Sequence, residues 1–259
     1  MGEGPPETYE GVRSWANTRW DRSDNDISKK EKERDPTEEL KYVDFGFEPD
    51  ETDYPLEQDE KRTSLIGAFE MAFSDSPYGE NFDYDLMDGF LEATSERDYE
   101  GRLAISDGTV VGFAWGYRVE PVQSPGIDEE SDFPEELLDS ETDFFDGETY
   151  YFEELGVLPD YRDQGIGKEL KRQELEKVRQ RDDVSRGLMR TQYNGEELEG
   201  LEVPEEFRDG EGTGNERKLG LDVDLGFEPV EAEGEPVIQE VELVGTEGSD
   251  QRIYMSREV

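Results

Sequence analysis

Arg162, Gly165 and Gly167, spaced R-x-x-G-x-G, stand where two kinds of sequence meet. Before them, Tyr151-Phe152-Glu153-Glu154-Leu155-Gly156-Val157-Leu158 is aromatic and β-branched and stops at Pro159; after them, Ile166-Gly167-Lys168 opens a long charged stretch with helical spacing. A strand that turns through glycines into a helix is a layout for binding anions. Glycine puts no side chain between main chain and ligand, and the first turn of a helix has N–H groups without intrahelical partners at the positive end of its dipole. Such a bend can hold a phosphate or pyrophosphate mainly by main chain. The spacing is neither the dinucleotide fingerprint G-x-G-x-x-G, with its acid about 20 residues on, nor the phosphate loop G-x-x-x-x-G-K-[ST]. Taken alone, it is also compatible with a glycine turn that binds nothing.

The helical stretch 165–181 adds a second observation. Its bases Lys168, Lys171, Arg172, Lys177, Arg179 and Arg181 outnumber its acids Glu169, Glu174 and Glu176, against the trend of the whole chain. A local positive field suits an anionic ligand. A solvated helix laced by Glu169–Arg172 and Glu174–Lys177 pairs is the plainer alternative. Asp163 is out of place beside a pyrophosphate unless it points to solvent.

With Leu155-Gly156-Val157 and Pro159 in front of it, R-x-x-G-x-G resembles the acetyl-CoA site of the GCN5-related N-acetyltransferase (GNAT) superfamily. A second stretch agrees. In Asn215-Glu216-Arg217-Lys218-Leu219-Gly220-Leu221-Asp222-Val223-Asp224-Leu225-Gly226-Phe227, the residues Asn215, Leu221, Gly226 and Phe227 fall where the family often has Asn, Leu and Gly-Phe. Asp222 stands where the family commonly has a tyrosine that protonates the leaving thiolate.

The resemblance implies an α/β (α+β) fold, a mixed, mostly antiparallel central sheet flanked by helices, and transfer of an acetyl group from acetyl-CoA to an amine. It implies that main-chain groups of Leu155, Gly156 and Val157 pair with the pantetheine arm, one amide nearby polarising the thioester carbonyl. Asp163, Gln164, Gly165, Ile166, Gly167 and Lys168 would wrap the pyrophosphate, with Arg162 or Lys168 adding charge and Asn215 joining the cofactor-binding set.

Acyl transfer to an amine by direct attack also needs a base and an acid. The chain has no histidine, so the base must be a carboxylate or a water held by one. Glu153 and Glu154 lie on the strand leading into the turn, and alternation lets one of them face the cleft. Glu153 shares parity with Leu155 and Val157 and is the first choice; a bulge would reverse that choice, and a plain surface carboxylate is the alternative. As the acid, Asp222 would require burial; Tyr193, Tyr254 and solvent are the other candidates.

Composition narrows the classes. With 71 acidic against 27 basic residues the formal net charge is −44, which repels free nucleic acid and anionic membranes. Aromatic residues make up 11% of the chain, too many for a disordered acidic tail, so a folded halophilic protein is expected, its self-repulsion screened where the Debye length is about 3 Å at 1 M salt. The absence of cysteine and histidine removes disulfides, thiolate nucleophiles, the usual zinc sites and Ser-His-Asp triads; no metal is expected. No apolar run suits a membrane span or signal core, so a cytoplasmic location is expected. A homodimer is compatible with all of this.

Around the turn, residues 1–40 read as a polar, flexible arm with a short helix near 27–34, and 41–259 as one acyltransferase domain with insertions near 120–148 and 193–214. A first strand is expected at 42–48, helices near 57–73 and 83–94, strands at 101–106 and 109–119 joined by Asp107-Gly108, and a fifth strand at about 185–192. Segments 226–230, 236–244 and 251–258 would close the sheet. The insertion 120–148 carries an apolar patch at Leu137, Leu138, Phe144 and Phe145 and reads either as a lid over the acceptor or as decoration. Two rival readings remain: a non-catalytic acyl-CoA-binding or interaction module on the same fold, and an acidic scaffold without a ligand.

Overall fold

In the computed structural model, residues 40–47, 52–74, 80, 82–119, 133–138, 143–193, 221–223, 225–242 and 249–259 are described. The arm 1–39, the insertion 193–214 beyond its first residue, and Asn215 lie outside them. The centre is the hairpin of β3 (Tyr99–Ser106) and β4 (Thr109–Arg118). Asp107 and Gly108 both take positive φ, 49° and 81°, the primed-turn geometry that follows the twist of paired strands. Every residue of β4 from Val110 to Tyr117 is buried, because helices cover the sheet on both faces.

The strand order places β4 in the middle. β1 (Leu40–Gly46) flanks β3, with the two-residue β2 (Tyr54–Pro55) parallel to it at the edge; on the other side follow β5 (Thr149–Val157), β6 (Arg186–Tyr193), β11 (Ser249–Glu258) and β10 (Ile238–Glu242). Among the described strands only the β1–β2 and β5–β6 pairings are parallel; the rest are antiparallel. This is the mixed, mostly antiparallel α/β sheet that the resemblance implies.

On one face lie α1 (Asp59–Phe73) and α2 (Tyr84–Ser95), the latter opened by Asp83, whose carboxylate accepts the Leu86 amide at 2.8 Å. Phe69 of α1 stacks on Phe113 and Trp115 of β4 at centroid distances of 5.3 and 5.6 Å. The helix α4 (Ile166–Val178) covers the other face with Ile166, Leu170, Leu175 and Val178. The short helix α3 (Glu135–Leu138) belongs to the insertion 120–148. Leu137 and Phe144 are fully buried with Tyr117, Tyr151 and Tyr254, so the described part of that insertion is core rather than an open flap. The segment 226–230 contributes only β7 (Glu228–Pro229), which pairs with β11; the miniature hairpin β8 (Glu231–Ala232) and β9 (Glu235–Pro236) follows it.

Candidate active site

The glycine turn is open. After β5 the chain makes a single 3-10 turn, Pro159–Tyr161, passes Asp163 at φ 61°, and enters α4 through Gly165 at φ 77° as its N-cap. A left-handed N-cap suits glycine, which has no Cβ to oppose it. The Glu169 amide makes the first helical bond, to the Gly165 carbonyl at 3.0 Å. The amides of Gly165, Ile166 and Gly167 come before it, and none donates to a carbonyl in the described backbone. A Cβ built on Gly165 would meet nothing within 4 Å. Asp163 and Lys168 are exposed, as is Gln164, whose Nε2 donates to the Asp160 carbonyl at 3.1 Å.

Arg162 turns inward. Its Nε donates to the Val157 carbonyl at 3.1 Å and its Nη2 to the Ala72 carbonyl at 2.7 Å, tying the bend to the end of β5 and to the last turn of α1. That role as a strut was not anticipated from the sequence, which had Arg162 or Lys168 adding charge at the pyrophosphate.

Strand β5 has two different halves. Thr149–Phe152 pairs in parallel with Arg186–Met189 of β6, whereas its pairing with β4 runs on to Val157. From Glu153 onward, β5 therefore pairs with β4 and no longer with β6. The resulting wedge is a cleft whose lining includes Glu153, Glu154, Leu155, Lys171, Arg190 and Asp222. Gly156 sits deeper, where a Cβ would come within 2.1 Å of the Phe113 ring, so only glycine allows β5 this close to the aromatic stack.

The expectation that one of Glu153 and Glu154 faces the cleft needs correcting. Trp115 pairs with Glu154 and Gly116 with Phe152, so Glu153 is the extra residue of a β-bulge and leaves the parity of Leu155 and Val157. Both carboxylates line the cleft. Glu153 is held in orientation: the Trp115 Nε1–H donates to its Oε2 at 3.1 Å, and Arg97 lies 3.5 Å from its Oε1. Arg97 in turn sits over the Tyr117 ring at 4.1 Å.

Asp222 is 2% exposed and pairs with Lys171 Nζ at 3.1 Å. Lys171 and Glu174 share an arc of the helical wheel with Leu170, Leu175 and Val178, a pattern that could have marked both as inward-facing in the sequence. Instead of reaching Lys177, Glu174 takes a hydrogen bond from the buried Tyr150 hydroxyl at 3.2 Å, and burial pushes its carboxyl up to about 8. Outside, Arg172 pairs with Glu169 and Glu176, Lys177 with Glu100 and Asp44, and Arg181 with Asp98 and Asp183. Much of the positive excess of α4 is thus compensated by neighbouring carboxylates. Tyr254 is fully buried with its hydroxyl on Gln239 at 2.9 Å; the side chain of Tyr193 lies outside the described residues. Among the described residues no group of three or more Asp, Glu, His or Cys is placed to hold a metal, and no helix is long and apolar enough to cross a membrane.

The acetyltransferase (GNAT) family model matches residues 62–196, more than half of the chain and the whole span from α1 through the wedge and glycine turn to β6. The chain belongs to the GNAT acetyltransferase family. No curated protein sequence matches it. Among solved structures, a candidate acetyltransferase from Acinetobacter baylyi ADP1 aligns over 86% of this chain and 94% of its own at 12% identity and a TM-score of 0.52, which is agreement in fold. A ribosomal-protein-alanine N-acetyltransferase from Brucella melitensis aligns over 76% and 93% at 16% identity and a TM-score of 0.49. A candidate acetyltransferase from Salmonella typhimurium, whose structure holds acetyl-CoA, aligns over 75% and 86% at 14% identity and a TM-score of 0.45. At such identities the GNAT frame of this chain is plain and its substrate is a separate question.

Proposed function

We propose that this GNAT chain is an acetyl-CoA-dependent N-acetyltransferase that works by direct attack of an amine on the thioester. The observation that carries the reading is a continuous run of main chain: the stretch of β5 beyond Phe152, where its pairing with β6 has ended, followed by the amides of Gly165, Ile166 and Gly167, none of which donates to a carbonyl in the described backbone. An extended arm ending in a diphosphate matches that run, with Leu155, Gly156 and Val157 along the arm and the helix N-terminus at its charged end. Gly165 leaves room for a diphosphate where any side chain would project. When bound, acetyl-CoA supplies an acetyl group already activated as a thioester.

The chain's own residues then have distinct tasks. Arg162 fixes the bend by gripping two carbonyls. Glu153, oriented by Trp115, receives the proton of the attacking amine directly or through one water, with Glu154 beside it as the second carboxylate of the cleft. The acceptor is an amine, of a small molecule or a peptide, since the net charge of −44 opposes nucleic acid and anionic membranes. The same charge favours work in concentrated salt, where it is screened.

Thiol release from acetyl-CoA in molar KCl, measured across a panel of primary amines, tests this directly. Turnover with at least one amine, lost in Gly165→Val, is the expected result. Saturable coenzyme A binding without turnover on a broad panel would favour the non-catalytic module, a reading that Asp222 in place of a tyrosine supports. No binding at all would leave only the acidic scaffold.

A further inference from the structure

We propose that Lys171, held by Asp222, donates the proton to the sulfur that departs during acyl transfer. The inference rests on the acetyl-CoA-dependent reading above and adds a group for which that reading has no residue.

A lysine and an aspartate 3.1 Å apart, with side chains only 6% and 3% exposed, are a poor way to stabilise an interior. Desolvation offsets most of their attraction, and apolar side chains of similar volume commonly do as well or better. Yet this pair is not sealed in the core: both residues line the cleft where β5 and β6 part. Lys171 Nζ has three N–H groups. One points to Asp222 Oδ1 and one to Met189 Sδ at 3.4 Å, and the ammonium lies 5.9 Å from the centre of the Phe227 ring, so Asp222 is its one described oxygen acceptor.

Two independent measures lead from the glycine turn to this point. Along α4, Lys171 is six residues beyond Gly165, about 9 Å at 1.5 Å per residue. Along β5, the stretch from Val157 back to Glu153, no longer paired with β6, spans about 13 Å at 3.3 Å per residue. A chain anchored at the helix N-terminus and laid along that stretch ends at the apex of the wedge, among Glu153, Glu154, Lys171 and Asp222. The charged groups around Lys171 are Asp222 from the 221–223 segment, Glu174 from its own helix, and Glu153, Glu154, Arg190 and Arg252 lining the same cleft.

In the proposed step the acceptor nitrogen forms the C–N bond, the C–S bond breaks, and its electron pair goes to sulfur, which takes a proton from Lys171 Nζ. The proton shed by the nitrogen passes through the cleft carboxylates and water and returns Lys171 to its charged form. The products are one amide and one thiol, and no other reactant is required.

The test uses coenzyme A itself as the probe, bound to the full chain in molar KCl, with the thiolate followed by its ultraviolet absorbance as pH is raised. An ammonium close to the sulfur should lower the apparent thiol pKa by roughly 1–3 units relative to the variant K171M/D222N, which removes both charges and leaves neither orphaned. The variant D222N, which keeps the lysine, should retain most of that lowering. With a reactive amine, K171M/D222N should lose at least about tenfold in kcat with little change in KM, whereas a purely structural pair would leave the thiol titration unmoved. Coenzyme A binding with the same thiol titration in wild type and K171M/D222N overturns the inference while leaving the proposed function standing. Absence of coenzyme A binding to the wild-type chain overturns both.

Discussion

Helix α4 carries charge on two faces that water treats differently. Outward, Arg172 and Lys177 of the helix and Arg181 just beyond its end reach acidic partners at partly solvated positions, linking the helix to itself and to β1, β3 and the turns beside them. Inward, Lys171 meets Asp222 and Glu174 meets Tyr150 with almost no solvent. The outward pairs are expected to contribute little and to fade in salt, because solvent screens them. The inward groups are shielded from that screening, so their protonation and pairing matter most when one partner is altered. A chain with net charge −44 can thus leave its surface electrostatics to the salt around it while its interior ones remain specific.

Removing one inward partner should have the largest effect. Lys171→Met strands the Asp222 carboxylate and should lose about 3–5 kcal/mol in denaturant unfolding, with much of that recovered in K171M/D222N. Equal losses in the single and double variants would mean that the pair is not desolvated in solution.

Glu174 gives the next effect, and its sign is fixed by linkage. Its carboxyl is raised to about 8 in the folded protein against an ordinary value of 4.5, so the folded state holds a proton that the unfolded chain has released. Its contribution is intact below about 4.5 and is lost as pH rises through about 8. Glu174→Gln should therefore flatten the decline in melting temperature between those limits and be stabilising at the alkaline end. The outward carboxylates Glu169, Asp98 and Asp183 are lowered, first by hydrogen bonds from their arginine partners, and run the other way: their stabilisation is present above the ordinary carboxylate range and lost as pH falls below it. A melting profile that stays flat between about pH 4.5 and 8 in the wild type would contradict the buried Glu174.

Gly165→Val forces a β-branched residue to φ 77° and should cost about 1–2 kcal/mol in stability, measured by thermal melting, while its effect on ligand binding is far larger. Smallest of all, Arg181→Ala should cost under about 1 kcal/mol in dilute buffer and less in 1 M KCl. A loss that is independent of salt would place Arg181 among the inward groups.

Much of the frame was legible because each element carries its own local signal. The primed turn at Asp107-Gly108, the apolar face of α1 and the strand-to-helix bend at 151–168 are patterns of neighbours, and all three are realised. The first strand starts at Leu40, two residues before the expected start, within the usual uncertainty of strand ends. What escaped depends on contacts distant in sequence. The bulge at Glu153 is set by the register of β4 against β5, which alternation along β5 alone cannot reveal. The inward turn of Arg162 depends on the Ala72 carbonyl, 90 residues away in the chain. The Lys171–Asp222 pair joins residues 51 apart, and the sequence marked Asp222 as a departure from the family's tyrosine and a candidate acid without naming Lys171 as its partner.

The central claim is that the bend between β5 and α4 holds the diphosphate of coenzyme A through its amides. Titration calorimetry with coenzyme A in molar KCl, on the wild-type chain and on Gly165→Val, tests it most directly. The account predicts saturable binding at one site in the wild type and a loss of at least about tenfold, 1.4 kcal/mol, in a variant that still melts cooperatively. Equal binding by the two proteins, or none by the wild type, would contradict it.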